Sequence, residues 1–228
     1  RFVAGADNGK VTVWAVSTGK PVLQLGPNRE GRFSFVGYSP DGSRIATVQN
    51  SLGDVRLWDA ASGQPVGPVR SSASGAGGAA FSTDGRRFAA SLSHARVVLW
   101  DTRDGTPVLE LPVRARSLRF SPDDRCLVTT SSDMSAQCWD VATGQPLAEP
   151  MIHTGQVVSG AFSPDARFLC TEASGAKTST TAFYLWPLPP EAVGTPVPEW
   201  LLQLATAVAG RRIDESGRCI AAPEALGQ

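Results

Sequence analysis

The sequence predicts an all-β chain assembled from one repeated unit of four short antiparallel strands. Three observations carry that prediction. Trp14, Trp58, Trp100, Trp139 and Trp186 recur at intervals of 44, 42, 39 and 47 residues, a period that marks one supersecondary unit copied several times. The runs around them are short, rich in Val, Ile, Leu, Phe and Trp, and punctuated by Gly, Pro, Asp and Ser. That is strand-and-turn chemistry, not the 3.6-residue stripe of a helix. Finally, Gly19, Gly63, Gly105 and Gly144 stand five residues past their tryptophan, and Pro21, Pro65, Pro107 and Pro146 seven past.

Each complete unit reads in the same order. An apolar run ends in an aromatic and a turn: GYSPDG (37–42), AFSTDG (80–85), RFSPDD (119–124) and AFSPDA (161–166). Pro and Asp suit the early positions of a tight turn, and Gly tolerates the positive φ that closes one. A second run follows, RIATV (44–48), RFAAS (87–91), CLVTT (126–130) and RFLCT (167–171). The third ends on the tryptophan: VRLWD (55–59), VVLWD (97–101), AQCWD (136–140) and FYLWP (183–187). A turn leads to the fourth, SGQPVGPV (62–69), DGTPVLEL (104–111) and TGQPLAEP (143–150). Four antiparallel strands per unit, repeated radially, describe a β-propeller blade. The fold class is therefore an open β-propeller of about five blades over residues 1–190.

The ends of the array differ from its middle. Phe2 lies twelve residues before Trp14, as Phe88 does before Trp100, so the first unit begins at its second strand. An uncovered inner strand position is an edge that proteins avoid, and the expectation is that further blades of the same protein precede this chain. After Trp186 the Gly-x-Pro turn fails, with Glu191 and Val193 at its positions, and PLPPEAVGTPVPE (187–199) is a proline-rich exit. A second segment, 191–228, follows. Trp200, Leu201, Leu204, Ala205, Val208 and Ala209 lie on one helical stripe, which predicts an amphipathic helix over about 198–209, bounded by Gly210. Residues 211–223 suit a short hairpin across Glu215–Gly217.

These motifs resemble the WD-repeat propellers. Trp58-Asp59, Trp100-Asp101 and Trp139-Asp140 are the Trp-Asp pairs, and the F-S-P-D-G turns are equally typical. The resemblance implies a buried hydrogen-bonded set of His, Ser or Thr, Trp and Asp in each blade. Trp14 is instead followed by Ala15 and Trp186 by Pro187. His153 stands without its glycine partner, and Asp133 sits where the Asp is expected in a unit that lacks the His. The set is expected to be incomplete in every blade, leaving stability to apolar packing between sheets. The tail, PVPEWLLQLATAVAGRRIDESG, is similar to segments that follow WD repeats in large bacterial multidomain proteins, including serine/threonine protein kinases. No kinase motif lies within the chain.

Composition narrows the function. Twenty-one basic residues balance twenty-one acidic ones, which argues against an electrostatic nucleic-acid binder. Arginines number eighteen of those twenty-one, a bias typical of a GC-rich, bacterial genome. No apolar run is long enough to insert into a membrane as a helix. Cys126, Cys138, Cys170 and Cys219 show no metal spacing. They read as small buried hydrophobes or, for Cys126 and Cys138, as a cross-strand disulfide.

Catalytic chemistry is sparse. His94 and His153 are too few for a metal site, with His94 expected in a solvent-facing turn and His153 as a structural relic of the repeat. Asp41, Asp84, Asp123 and Asp165 form a regular series, but their shared place in the S-P-D-G turns makes turn formation the explanation. SGAGG (74–78) lacks the Lys and Ser/Thr of a phosphate loop and reads as a loose connection between units. No catalytic residue, cofactor or metal is expected. The turns between second and third strands, and the connections from fourth strands onward, share one face. It carries Asp7, Lys10, Asp54, Arg96, Arg114, Arg116, Asp133, His153 and Lys177. Arg114 and Arg116 are either solvated surface arginines or a grip for a partner's carboxylate or phosphate. The stretch 174–182 lengthens the fifth unit and is the best candidate contact loop.

Three functions remain. The first is a non-catalytic protein-interaction, scaffold or sensor propeller in a larger bacterial multidomain protein, regulating a serine/threonine kinase. The second is a free-standing WD-repeat scaffold. The third is a propeller enzyme or small-molecule binder using the central channel, for which the inner runs FSFVGY, GAAF, SLRF and SGAF offer little chemistry.

Overall fold

The computed structural model describes residues 1–26, 30–50, 53–71, 76–92, 96–175, 181–188, 211–213 and 219–221. The described part is all-β and contains no helix. Five antiparallel sheets follow one another along the chain. The first holds β1 (Phe2–Gly5), β2 (Val11–Ala15) and β3 (Lys20–Leu25). The second holds β4 (Phe33–Tyr38), β5 (Arg44–Gln49), β6 (Val55–Asp59) and β7 (Pro65–Arg70). The third holds β8 (Ala76–Phe81), β9 (Arg87–Leu92), β10 (Arg96–Asp101) and β11 (Pro107–Leu111). The fourth holds β12 (Ser117–Phe120), β13 (Cys126–Thr130), β14 (Ser135–Asp140) and β15 (Met151–Ile152), and the fifth β16 (Gln156–Phe162), β17 (Phe168–Ser174) and β18 (Thr181–Pro187). Strand order follows chain order in every sheet. β4, β8, β12 and β16 lie against one another in succession and form the inner wall of an open propeller.

The sequence spacings have direct geometric causes. Gly19, Gly63, Gly105 and Gly144 have φ of 64°, 71°, 72° and 72°. Each donates its N–H to the carbonyl of the residue after the tryptophan, at 2.8–2.9 Å. An L side chain is disfavoured at that φ, which fixes the glycine. Two residues on, the proline stands at the start of the returning strand or in a bridge, directly opposite the tryptophan, in the pairs Trp14–Pro21, Trp58–Pro65, Trp100–Pro107 and Trp139–Pro146.

The core lies between sheets. Trp58 is 1% exposed and packs with Val11, Val13 and Leu25 of the preceding sheet. Trp100 packs on Val55 and Leu57, Trp139 on Val97 and Leu99, and Trp186 on Val128, Ala136 and Cys138. Every one of these tryptophans therefore faces the sheet before its own. Burying side chains of this kind contributes roughly 1.5–3 kcal/mol each, and alternation along the strands places them on the packed face.

Two expectations change, and one open alternative closes. Residues 76–78 of the glycine-rich stretch are not a loose connection but the start of the inner strand β8. A Cβ on Gly77 would lie 2.6 Å from the Ala115 carbonyl oxygen, and one on Gly78 2.8 Å from that of Arg116. Glycine is there because two backbones meet. The fourth strand of the fourth sheet is displaced from 143–150 to 151–152, with Trp139–Pro146 surviving as an isolated bridge. Pro146 and Pro150 have no N–H for a ladder, and the Gln137 side-chain amide instead donates to the Ala148 carbonyl at 2.6 Å. Cys126 and Cys138 are free thiols. Cys126 faces Asp140 and Cys138 faces Val128, a diagonal arrangement whose Cα separation of about 7–8 Å is too long for a disulfide.

β19 (Arg211–Ile213) and β20 (Cys219–Ala221) pair antiparallel as the short hairpin expected in the tail, and β20 lies against β18. The helix expected over 198–209, His94 and the Cys219 side chain lie outside the described residues.

Candidate functional site

The turns between second and third strands are tied to the connections between sheets, which builds one continuous face. Gly31 donates its N–H to the Asp7 carbonyl, Asn50 to Arg32, Ala76 to Asn50, and Arg116 to Thr130. Farther along, His153 donates to Met134 and Val157 to Ser131. Each connection is thus tied to a second-to-third-strand turn, or the strand end beside it, of a sheet that it joins. Lys10, Arg96, Arg114, Arg116 and Asp133 are exposed on this face. Arg96 forms a 3.2 Å ion pair with Glu110, and Arg32 pairs with Asp7 at 3.4 Å. Asp54 is buried and accepts a hydrogen bond from the Ser71 hydroxyl. The Arg116 guanidinium donates to Gln156 Oε1 at 3.3 Å, bridging the fourth and fifth sheets. Lys177, and most of the 174–182 stretch, lie outside the described residues.

Beneath the face, part of the buried polar set is present. The indole N–H of Trp58 donates to Thr47 Oγ1 at 3.0 Å, that of Trp139 to Thr129 and that of Trp186 to Thr171, both at 2.9 Å. Register explains where it fails: Thr47, Thr129 and Thr171 pair with the residue two before the tryptophan. In the third and first sheets Ala90 and Ala4 hold that position. His153 extends the chain only in the fifth sheet, where its Nε2 and Thr171 Oγ1 share a 2.6 Å hydrogen bond.

His153 is 5% exposed, so its place as a surface contact is corrected. Its ring packs edge-on to Tyr184 and Trp186, with centroids 4.6 and 5.4 Å away. Nδ1 has no hydrogen-bond partner among the described residues. Burial holds its pKa below the ordinary value, while the nearby Met151 and Met134 carbonyls oppose that without meeting Nδ1 in hydrogen-bonding geometry. Asp133, which the resemblance places opposite such a His, accepts from the N–H and hydroxyl of Ser135 in its own turn.

The opposite face uses its carboxylates internally. Asp41, Asp84, Asp123 and Asp165 each accept the hydroxyl of the serine two residues before. That bond holds the Asp41 and Asp165 carboxyls below the usual range. Asp59, Asp101 and Asp140 accept backbone N–H groups of the following turn. In the third position after these serines the chain takes positive φ, at Gly42 and Gly85 but also at Asp124 (58°) and Ala166 (59°). The Asp124 carboxylate crosses to the neighbouring sheet and accepts the N–H groups of Thr83 and Asp84 at 2.6 and 2.8 Å.

Sequence reading missed Arg119, exposed on β12, although the alternation in SLRF between buried Leu118 and Phe120 contained that signal. It also missed the Ser159 hydroxyl donating to Glu172 and the bond that Thr154 and Tyr184 share, because both depend on register between strands. Among the described residues, no group of three or more His, Cys, Asp or Glu is arranged to hold a metal ion. No helix among them is long and apolar enough to cross a membrane.

The family model "WD domain, G-beta repeat" matches residues 106–140. The chain is 33% identical to WD repeat and SOCS box-containing protein 1 of Takifugu rubripes over 96 residues, covering 40% of this chain and 22% of that protein. It is 28% identical to the guanine nucleotide-binding protein subunit beta of Arabidopsis thaliana over 150 residues, covering 60% of this chain and 40% of that protein. The chain thus spans less than half the length of these curated relatives. A crystal structure of the computationally designed Ika8 protein superposes with a TM-score of 0.69 at 19% identity, over 81% of this chain and 54% of that one, a likeness of fold. The chain is thus an open propeller carrying a WD40 repeat at 106–140, similar to curated WD-repeat proteins.

Proposed function

We propose that this chain is a non-catalytic protein-interaction platform, used through the face built from its second-to-third-strand turns and inter-sheet connections. The observation that carries the reading is the asymmetry between faces. The carboxylates of one face are engaged in shaping its own turns and stand within 4.0 Å of its exposed Arg86 and Arg103, whereas the other presents Arg114 and Arg116, exposed on a connection tied to its neighbours and with no carboxylate that close among the described residues. Rigid scaffold under outward-facing polar loops is the usual arrangement of a binding surface. The similarity to a WD repeat and SOCS box-containing protein and to a G-protein β subunit supports a scaffold role.

The test compares faces. Arg96→Glu with Arg116→Glu alters the proposed face, and Arg86→Glu with Arg103→Glu the opposite one. Partner retention by the full-length protein should fall only for the first pair. Loss with the second pair alone would overturn the assignment.

We propose further that the platform serves a larger bacterial multidomain protein and regulates a serine/threonine kinase domain in it, with 1–190 as the propeller and 191–228 as the appended tail. The tail's resemblance to segments of such kinases supports this. Deleting the propeller from the full-length protein should change phosphorylation of its substrates; unchanged phosphorylation would leave the free-standing scaffold as the answer.

A further inference from the structure

We propose that Arg114, Arg116 and Arg119 form a docking site for an acidic protein segment whose carboxylates occupy closely spaced positions. This rests on the interaction-platform reading and names the chemistry of the partner.

The three arginines lie within six residues, on the connection into the fourth sheet and on its inner strand. All three are exposed, and none has a carboxylate within 4.0 Å among the described residues. Neighbouring arginines of the same face differ. Arg32, Arg56 and Arg96 have Asp7, Asp54 and Glu110 at 3.4, 4.0 and 3.2 Å. The chain as a whole is balanced at twenty-one charges of each sign, so this is a local surplus and not part of a basic surface.

The backbone that carries them is fixed. Ala115, between Arg114 and Arg116, is 4% exposed and receives the Ser91 hydroxyl oxygen as acceptor for its N–H at 3.3 Å. The carbonyls of Ala115 and Arg116 pass directly over Gly77 and Gly78, where no side chain fits. The Arg116 N–H donates to the Thr130 carbonyl at 2.7 Å, and its guanidinium is steadied by Gln156. Arg119 follows on β12 between buried Leu118 and Phe120, with its side chain on the other side of the strand. A fixed backbone spares the cost of ordering the loop when its guanidinium groups engage carboxylates, and such bonds are stronger than neutral ones. Nucleic acid is disfavoured because its backbone affinity grows with the number of phosphates contacted, and this site is three residues wide in a chain of zero formal charge.

The experiment measures fluorescence anisotropy of a labelled Ser-Glu-Ser-Glu-Ser-Glu-Ser peptide on the full chain at 50 mM NaCl. Its comparators are a Gln-for-Glu peptide and a 12-base-pair DNA duplex. The expected result is saturable binding of the Glu peptide that weakens with salt. Affinity should fall at least tenfold in R114Q/R116Q/R119Q and stay unchanged in R125Q, which alters the opposite face. Circular dichroism and the urea midpoint show whether the triple variant folds, and single substitutions serve in its place if it does not. Equal binding of the Gln peptide, or Glu-peptide affinity untouched by the triple substitution, would overturn the proposal. Tighter binding of the duplex through the same arginines would overturn it in favour of nucleic acid. Absence of acidic-peptide binding by the unaltered chain, alongside partner retention that still depends on Arg96, would sink this inference while leaving the platform intact.

Discussion

Replacing Thr171 with Val keeps the shape of the side chain and removes one oxygen that serves two partners. Thr171 is 0% exposed. Its Oγ1 accepts the Trp186 indole N–H at 2.9 Å and shares a 2.6 Å hydrogen bond with His153 Nε2. The variant leaves Trp186 without its acceptor and His153, already lacking a partner at Nδ1, with neither ring nitrogen bonded. A buried group left unsatisfied costs about 1–3 kcal/mol, and a partly buried bond contributes about 0.5–1.5 kcal/mol. The sum is about 1.5–4.5 kcal/mol. T129V is the natural comparator, since there the hydroxyl accepts from a similarly half-buried Trp139 and donates only a long 3.4 Å bond to the Gln137 carbonyl, with no histidine, and its cost should be about 1 kcal/mol. The assay is urea unfolding of the full chain followed by far-ultraviolet circular dichroism. With a slope of about 2–3 kcal/mol/M, T171V should lower the midpoint by about 1 M and T129V by less than half of that. Equal shifts would show that His153 adds nothing to the fifth sheet, and the reasoning would be refuted.

Other outcomes follow from the same geometry. Because burial lowers the His153 pKa, the folded chain holds the neutral ring. Its stabilising effect is complete above the unfolded value of about 6.5 and is lost as pH falls from there through the folded value. The wild-type urea midpoint should therefore decline between pH 7.5 and 5.5 by more than that of H153Q; parallel profiles would reject this. Asp41 and Asp165, held low by Ser39 and Ser163, lose their contribution only at more acid pH, below the ordinary carboxylate value of about 3.9. A166G should be neutral or slightly stabilising, because relief of the 59° backbone offsets about 0.4–1 kcal/mol of added unfolded-state freedom. D124G should cost about 1–2 kcal/mol in the same urea unfolding, since it removes an acceptor from two N–H groups of the neighbouring sheet. Burial pushes the Cys138 thiol up to about 12, so iodoacetamide at pH 8 should leave it unmodified in the native chain. Non-reducing mass spectrometry should find both Cys126 and Cys138 as free thiols.

Repetition made most of the fold readable. Glycine and proline stand at fixed distances from each tryptophan because a positive-φ residue and a strand pair are required there, and a local requirement repeated four times leaves a visible trace. Contacts between sheets leave no such trace. Nothing around Gly77 and Gly78 in the chain itself reveals that the backbone of 115–116 crosses them. The exposure of Lys10, Arg96, Arg114, Arg116 and Asp133 on the contact face was legible from turn placement, but the burial of His153 depends on the distant Tyr184 and Trp186. Arg119 was legible in principle, from alternation in a four-residue strand, and was passed over because the inner runs read as featureless. The Trp–Thr bonds are intermediate: their presence follows from whether Thr or Ala stands at one register position, which needs the strand pairing to identify.

The central claim is that one face of the open propeller makes the contacts. Its most direct test is photo-crosslinking, with a photoreactive residue placed singly at Arg96, Arg116, Asp133, Arg86, Arg103 and Arg125 of the full-length protein in cells that express it. The account predicts partner crosslinks at the first three positions and none above background at the last three. Crosslinks concentrated at Arg86, Arg103 and Arg125 would contradict it.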